Sequence, residues 1–113
     1  TRRILLSEQG FHTPDGPEGE MIQAAAYCYA WKKIEKLDGL DAFILHRHVD
    51  HGQEGGLRLG LWNRDTKSPS PCQPKAKKPI YEVFRQAGTP GWEPAFRFAL
   101  PVIGVQSWEE VTR

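Results

Sequence analysis

Two short segments of the chain combine the residue types that acid–base or metal chemistry needs. The first ends in a single carboxylate, Glu8, which closes the apolar run Ile4-Leu5-Leu6-Ser7-Glu8. The second is the segment 46–51, which reads His46-Arg47-His48-Val49-Asp50-His51 and holds three imidazoles and a carboxylate. Carboxylates and imidazoles are common general acids, general bases and zinc ligands. These two segments are therefore the candidates for chemistry.

Both segments follow runs that are typical of buried strands. Residues 4–8 predict a first strand, and residues 40–48 predict a second strand that is apolar on both faces at first and polar only toward its end, as in parallel sheets. Between them, residues 21–37 predict a helix that ends at Gly39. Its apolar stripe consists of Met21, Ala24, Ala25, Cys28, Trp31 and Ile34. The order strand, helix, strand predicts a parallel βαβ unit with Glu8 and the histidines at one edge of the sheet.

The remainder of the chain is less regular. The pattern predicts a short extended piece at 57–62, an irregular excursion at 68–79, and an amphipathic helix at 80–87 that Gly88 ends. Pro101 and Gly104 interrupt the last apolar segment, so we expect residues 89–113 to form an irregular tail that packs across the unit. The chain thus reads as one α/β domain over residues 1–113, with strand, helix, strand, loop and helix in residues 1–88.

The composition narrows the classes of function. A length of 113 residues with 39% hydrophobic residues indicates one folded domain, and a formal net charge of +1 gives no strong field for nucleic acid or an anionic membrane. No apolar run is long enough to span a membrane. Two cysteines do not make a disulfide scaffold; we expect Cys28 to be buried and Cys72 exposed. Since the chain begins at Thr1, we expect it to be a fragment of a longer protein.

The segment Ile4-Leu5-Leu6-Ser7-Glu8-Gln9-Gly10-Phe11 resembles the seventh strand of the clan A-type (β/α)8-barrel glycoside hydrolases, which carry a nucleophilic glutamate at its tip. Later motifs of that clan follow in order: Gln23-Ala24-Ala25-Ala26-Tyr27, Leu40-Asp41-Ala42-Phe43-Ile44, Asp50, Gly60-Leu61-Trp62, Lys78-Pro79 and Tyr81. The resemblance covers about residues 3 to 88 and is nearest to uncharacterised bacterial glycosidase-like proteins. It implies the C-terminal portion of a TIM barrel, strands 7 and 8 with their helices, incomplete as given.

The resemblance implies an enzyme, a retaining glycoside hydrolase with Glu8 as the nucleophile. In such enzymes a second carboxyl group about 5 Å away protonates the departing oxygen. In this family it lies on the fourth strand, and this sequence has no Asn-Glu pair to replace it. A complete barrel needs about 250 residues. We therefore expect this chain to be inactive alone and to need a partner, either the missing N-terminal part of the barrel or another copy of itself.

The resemblance and the polar segments together give a set of substrate-binding residues: Gln9, His46, His48, Asp50, His51 and Trp62. The ring of Trp62 is suited either to stacking on a sugar or to packing in the core, and the sequence leaves both open. The expected ligand is a carbohydrate, with no cofactor, nucleic acid or membrane involved. The resemblance favours a secreted or periplasmic location.

Two rival interpretations remain. The pattern His-x-His-x-Asp-His at 46–51 matches the signature of metallo-β-lactamase-like hydrolases, with His46, His48, Asp50 and His51 as zinc ligands. That family needs further histidines downstream, and none follows His51, so this interpretation ranks second. The other rival is a fragment that binds carbohydrate or a partner without catalysis.

Overall fold

The computed structural model describes the backbone of residues 4–112, with their side chains except those of Ile4, Ser7, Glu8 and Asp41. The elements are, in order, β1 Ile4–Gln9, α1 Gly19–Ile34, β2 Leu40–Leu45, β3 Trp62–Arg64, β4 Pro74–Lys77, α2 Pro79–Gln86, α3 Trp92–Phe96, α4 Ala99–Ile103 and α5 Trp108–Thr112. Strands β1 and β2 form one sheet, and β3 and β4 form another. Within this part of the chain, every helix is too short or too polar to cross a membrane.

The predicted parallel βαβ unit is confirmed. Strands β1 and β2 pair in parallel, with Gln9 opposite Leu45, and α1 is the crossover between them. Phe43 and Leu45 of β2 pack against the hydrophobic core, whereas Ile44 between them is 50% exposed. Leu5 of β1 is also exposed. The described residues therefore cover one face of β2, although the sequence indicated a strand covered on both faces.

Helix α1 packs closely because small residues face the core. Ala24, Ala25 and Cys28 are buried, as predicted. Met21 is exposed instead, so its place in the predicted stripe is wrong, and Gln23 and Tyr27 are buried. The stripe is thus rotated toward Gln23, whose amide nitrogen Nε2 donates hydrogen bonds to two backbone carbonyls inside the protein.

An aromatic cluster joins α1 to the sheet. The ring of Tyr27 lies 5.6 Å from that of Phe11, 5.8 Å from that of Phe43 and 6.4 Å from that of Trp31, measured between centroids. Ile80 and Val83 of α2 belong to the same core. This core fixes α1 and α2 on one side of the first sheet.

The excursion at 68–79, predicted to be irregular, contains strand β4. Trp62 pairs with Lys77 and Arg64 with Pro74 in an antiparallel ladder. Pro74 is the first residue of β4, a position where the missing N–H of proline is tolerated. Helix α2 follows as predicted, and Gly88 just beyond it has φ +78°, which suits glycine.

The tail after residue 89 is helical, so the prediction of an irregular tail is wrong. Pro101 and Gly104 are the residues predicted to interrupt this segment, but Pro101 is the third residue of α4 and Gly104 is its C-cap, with φ +95°. Pro94 is likewise the third residue of α3. The first N–H groups of a helix have no partner within the helix, so proline costs little there. The prediction that the tail packs across the unit is confirmed, since α4 and α5 lie against α1.

Candidate functional site

The first predicted segment ends, and the second begins, at the same edge of the first sheet. Gln9 is the last residue of β1, and its backbone carbonyl accepts a hydrogen bond from the N–H of His46 at 2.8 Å. The backbone of Glu8 lies one residue earlier in β1, whereas the side chain of Glu8 lies outside the described residues. Ligand sites of parallel α/β sheets lie at this carboxyl edge of the strands.

The side chain of His46 turns to a carboxylate in the loop after β2. His46 Nε2 lies 3.1 Å from Glu54 Oε2, and Arg47 Nε lies 3.0 Å from Glu54 Oε1 in an ion pair whose N–H is not aligned for a hydrogen bond. The peptide bond between His46 and Arg47 is cis. Glu54 is therefore held between an imidazole and a guanidinium, beside the end of β2.

Asp50 is bound to Lys78 in a buried ion pair. Lys78 Nζ donates to Asp50 Oδ1 at 2.6 Å and to Thr13 Oγ1 at 2.9 Å, and the side chains of Lys78 and Asp50 are only 1% and 6% exposed. The same Asp50 oxygen accepts the N–H of Gly60 at 2.7 Å. Burial lowers the pKa of Lys78, and the Asp50 carboxylate opposes that change. One oxygen of Asp50, a predicted substrate ligand, is thus occupied by donors of the protein.

Gln23 ties α1 to the same loops. Its Nε2 donates to the backbone carbonyls of Phe11 and Gly60, each at 3.0 Å, and the residue is fully buried. A Cβ on Gly60 would clash with the backbone N of Asp50, so only glycine fits there. We call the group that joins the loop after β1, the loop after β2, α1 and the start of α2 the carboxyl-edge joint: it consists of Thr13, Gln23, Asp50, Gly60 and Lys78.

The other two predicted histidines differ in position. His48 is exposed and lies in a small depression of about 180 Å³, together with Arg47, Val49 and Cys72. His51 is half-buried, lines a second and larger cleft, and accepts the N–H of Gln53 on Nδ1 at 3.1 Å. The segment 46–51 therefore sends its polar side chains in different directions.

Trp62 has contacts typical of a core residue. Its half-buried ring meets Tyr81 edge to face, with 6.1 Å between centroids, and it packs against the hydrophobic core. Lys77 Nζ lies 5.8 Å from the centroid of the Trp62 ring. This packing favours the core interpretation of Trp62, and stacking of a sugar on its exposed part stays a prediction.

The potential zinc ligands do not form a cluster. Over the described part of the chain, no three His, Cys, Asp or Glu side chains come together in a way that would hold a metal ion. His46 faces Glu54, Asp50 faces Lys78, and His51 contacts Gln53. No observation therefore favours the zinc interpretation over the sugar interpretation.

Several polar residues at this edge escaped the sequence analysis. The sequence signals Lys78 only as part of a Lys-Pro turn, and the predicted set of site residues does not include Glu54, Arg58 or Arg64. Their importance arises from contacts between residues far apart in sequence, such as the 28 positions between Asp50 and Lys78. A spacing pattern within one segment cannot reveal such contacts.

Comparison with known proteins gives a family for this chain. The model of DUF5722, described as a family of unknown function, matches residues 1–111. Because this match covers nearly the whole chain, the protein belongs to the DUF5722 family. No curated protein and no solved structure matches the chain.

Proposed function

We propose that the chain forms part of a (β/α)8-barrel glycoside hydrolase that acts with retention and uses Glu8 as its nucleophile. The parallel pairing of β1 and β2 carries this proposal, because it sets the end of β1, which holds Glu8, beside His46 at the end of β2. Active sites of (β/α)8 barrels lie at this edge of the strands. The role of Glu8 comes from the resemblance of residues 4–11 to the seventh strand of these enzymes.

The proposed reaction has two steps. A carboxylate oxygen of Glu8 attacks the anomeric carbon, and the glycosidic oxygen leaves with a proton from a second carboxyl group. Water then attacks the same carbon and gives a proton to that second group, while the bond to Glu8 breaks and its carboxylate is released. We assign the second carboxyl group to a strand outside this chain, because the sequence contains no Asn-Glu pair.

The predicted binding residues have distinct parts in this proposal. Gln9 and His46, at the ends of β1 and β2, contact the hydroxyl groups of the sugar beside Glu8, and the exposed part of Trp62 offers an apolar wall. His48 and His51 lie in two separate depressions and contact other units of the glycan. The contact between His46 and Glu54 supports this arrangement, because it holds the imidazole in one orientation. Asp50 acts through its buried contact with Lys78, which holds the loop that carries His51.

One face of the first sheet exposes apolar side chains to solvent, which supports the proposal that this sheet is part of a larger barrel. Ile44 is 50% exposed and Leu5 is 63% exposed, and burying an aliphatic side chain of this size contributes about 1.5–3 kcal/mol. In a barrel, side chains from the other strands fill the interior against this face. We propose that parallel strands from an upstream part of the same polypeptide cover it. A stable dimer of this chain in sedimentation would instead indicate self-association.

The test is to compare Glu8→Gln with a matched control, Glu109→Gln, in the natural polypeptide that contains this chain. Glu109 is an exposed carboxylate on α5, far along the chain from the candidate site. We expect wild type and Glu109→Gln to hydrolyse an aryl glycoside from a standard panel with retention, as seen by proton NMR of the first product, and Glu8→Gln to fall to background.

Two outcomes would overturn the proposal. Hydrolysis by Glu8→Gln at the wild-type rate would show that Glu8 is not the nucleophile. An inverted first product would show that the reaction does not pass through a covalent intermediate. Sugar binding by a natural polypeptide that hydrolyses no glycoside of the panel would indicate the carbohydrate-binding alternative.

A further inference from the structure

A cleft of about 280 Å³ opens beside the carboxyl-edge joint, in the loop that follows β2 and in β3. Its polar lining consists of His51, Arg58, Asn63, Arg64 and Thr66, together with Asp50. Asp50 is the one carboxylate among the described residues of this lining, and its Oδ1 already accepts hydrogen bonds from Lys78 and Gly60. The cleft is therefore rich in hydrogen-bond donors and poor in free acceptors.

Arg64 is the central donor of this cleft. The residue is half-buried, and its guanidinium has no ion pair or hydrogen bond with any residue that the structure describes. A Cβ on Gly52 would stand 3.0 Å from Cζ and 3.2 Å from Nε and Nη2 of Arg64. The absence of a side chain at Gly52 therefore makes room for the guanidinium. An arginine remains charged under all ordinary conditions. Arg64 thus presents an uncompensated positive charge at a sheltered position.

Arg58 is anchored on one nitrogen and free on the others. Its Nη2 donates to the carbonyl of Thr13 and to Asp15 Oδ1, both at 2.6 Å. A guanidinium has five N–H groups in a planar fork, and those of Nε and Nη1 have no partner within the described part of the chain. The contacts with Thr13 and Asp15 therefore hold the guanidinium in place and leave donors for a ligand.

Two side chains of the cleft that can either donate or accept hydrogen bonds are available as donors. His51 Nδ1 accepts the N–H of Gln53, so the neutral ring carries its proton on Nε2. Asn63 Oδ1 accepts the N–H of Ala76 at 2.9 Å, which leaves the NH₂ group of its amide as a donor. Each contact uses the acceptor atom of the side chain and leaves its donor available to the cleft.

We propose that this cleft binds an oxyanion group of a glycan, either the carboxylate of a uronic acid or a sulfate ester. Guanidinium groups pair with such groups through two parallel charge-assisted hydrogen bonds. The volume of the cleft is close to the lower end of typical ligand pockets, about 300 Å³, which suits a single charged sugar unit. The assignment of the ligand as a glycan rests on the proposed function. The inference adds the class of sugar that the cleft binds.

The experiment measures binding without hydrolysis. The natural polypeptide is titrated with glucuronate, glucose 6-sulfate and glucose, with dissociation constants taken from calorimetry or from NMR shifts. We expect at least one of the two anions to bind tenfold or more tightly than glucose, and to bind more weakly as salt is added. Arg64→Gln is expected to weaken binding of that anion about tenfold or more, since hydrogen bonds to charged groups are among the strongest in proteins.

Two further variants separate binding from folding. Arg64→Lys keeps the charge but loses the planar fork, so its affinity is expected to lie between those of wild type and Arg64→Gln. Arg97→Gln changes an exposed arginine outside the cleft and is expected to bind like wild type. Binding is measured for all three variants at one temperature that lies below the thermal unfolding midpoint of each.

Each outcome has a defined meaning. Binding of glucuronate alone assigns the carboxylate of a uronic acid, binding of the sulfate sugar alone assigns a sulfate ester, and binding of both supports the shared oxyanion. Equal affinity for glucose and both anions, no binding of either anion, or wild-type affinity in Arg64→Gln would overturn the inference. Anion binding in a protein without Glu8-dependent hydrolysis overturns only the proposed function, whereas hydrolysis without anion binding overturns only this inference.

Discussion

Two ion pairs in this protein have similar lengths and very different surroundings. In the carboxyl-edge joint, Lys78 Nζ lies 2.6 Å from Asp50 Oδ1, and both side chains are almost completely buried. On the outer face of α2, Arg85 Nη2 lies 2.9 Å from Glu82 Oε1, and both side chains are more than half exposed. If one partner of the exposed pair is removed, water solvates the charge that remains. Water cannot reach a single charge left in the joint. Burial therefore determines what each pair contributes.

The two regions also differ in what they connect. Arg85 and Glu82 lie three positions apart on one helix, so their contact stabilises only local structure. Lys78 is 28 positions from Asp50 and 65 positions from Thr13, and its contacts hold together the loops of the candidate site. The joint thus links the stability of the fold to the geometry of the carboxyl edge.

The largest expected effect is that of Lys78→Met. The substitution leaves Asp50 as an unpaired buried charge, so we expect a loss of about 3–5 kcal/mol in the free energy of unfolding by urea at pH 7. Arg85→Met, the matched change on α2, is expected to produce no measurable loss. Equal effects of the two variants would mean that the joint is open to water.

The double variant Asp50→Leu/Lys78→Met sharpens this comparison. Replacing both partners removes the unpaired charge, so the double variant is expected to unfold at a higher urea concentration than Lys78→Met. A double variant that is less stable than Lys78→Met would show that the two residues act independently.

Gln23→Leu is expected to have a smaller effect. It leaves the carbonyls of Phe11 and Gly60 without the donor that they share, and a buried unpaired acceptor costs about 1–3 kcal/mol. The control is Gln73→Leu, at an exposed position before β4, for which the unfolding curve should match that of wild type. A wild-type curve for Gln23→Leu would remove Gln23 from the joint.

The effect that is smallest at neutral pH concerns the two cysteines, because it appears only at alkaline pH. Burial raises the pKa of Cys28 from its ordinary value of 9.0 to about 12, and it also raises the pKa of Tyr27. The folded protein therefore keeps the thiol proton of Cys28 in a pH range where the unfolded chain releases it. The stabilisation is complete below pH 9 and is lost as the pH rises toward 12.

Cys28→Ala removes this pH dependence. Between about pH 9 and 12, the free energy of unfolding of wild type should fall by about 1.4 kcal/mol per pH unit more steeply than that of Cys28→Ala. Burial lowers the pKa of Lys78 and changes stability in the opposite direction, but this contribution is common to both proteins. The exposed Cys72 is the control, and Cys72→Ala should keep the wild-type slope. Identical slopes in wild type and Cys28→Ala would contradict the assigned burial.

Local patterns in the sequence were sufficient for the elements that frame the site. The runs at residues 4–8 and 40–48, the small residues of α1 and the stop at Gly88 each carry a signal within a few residues. The tail was mispredicted because a proline disrupts a helix only in its interior, and the position of Pro101 within α4 depends on where that helix begins.

The candidate site was less predictable than the fold. The spacing of the histidines indicated a polar segment, but it gave no direction for the side chains. In the structure His46 faces Glu54, His48 lies in a small depression, and His51 lines the cleft. The pairing of Asp50 with Lys78 and the convergence of Arg58 and Arg64 on one cleft are long-range contacts that no motif in the sequence announces.

The central claim, that Glu8 is a glycosidase nucleophile, is tested most directly by trapping the covalent intermediate. The natural polypeptide is treated with an activated 2-deoxy-2-fluoro glycoside matched to its preferred sugar, digested, and mapped by mass spectrometry. We predict one added fluoro-sugar on the peptide that contains Glu8, attached to that residue. A polypeptide that hydrolyses the parent glycoside but carries the label on another residue, or accumulates none, would contradict the claim.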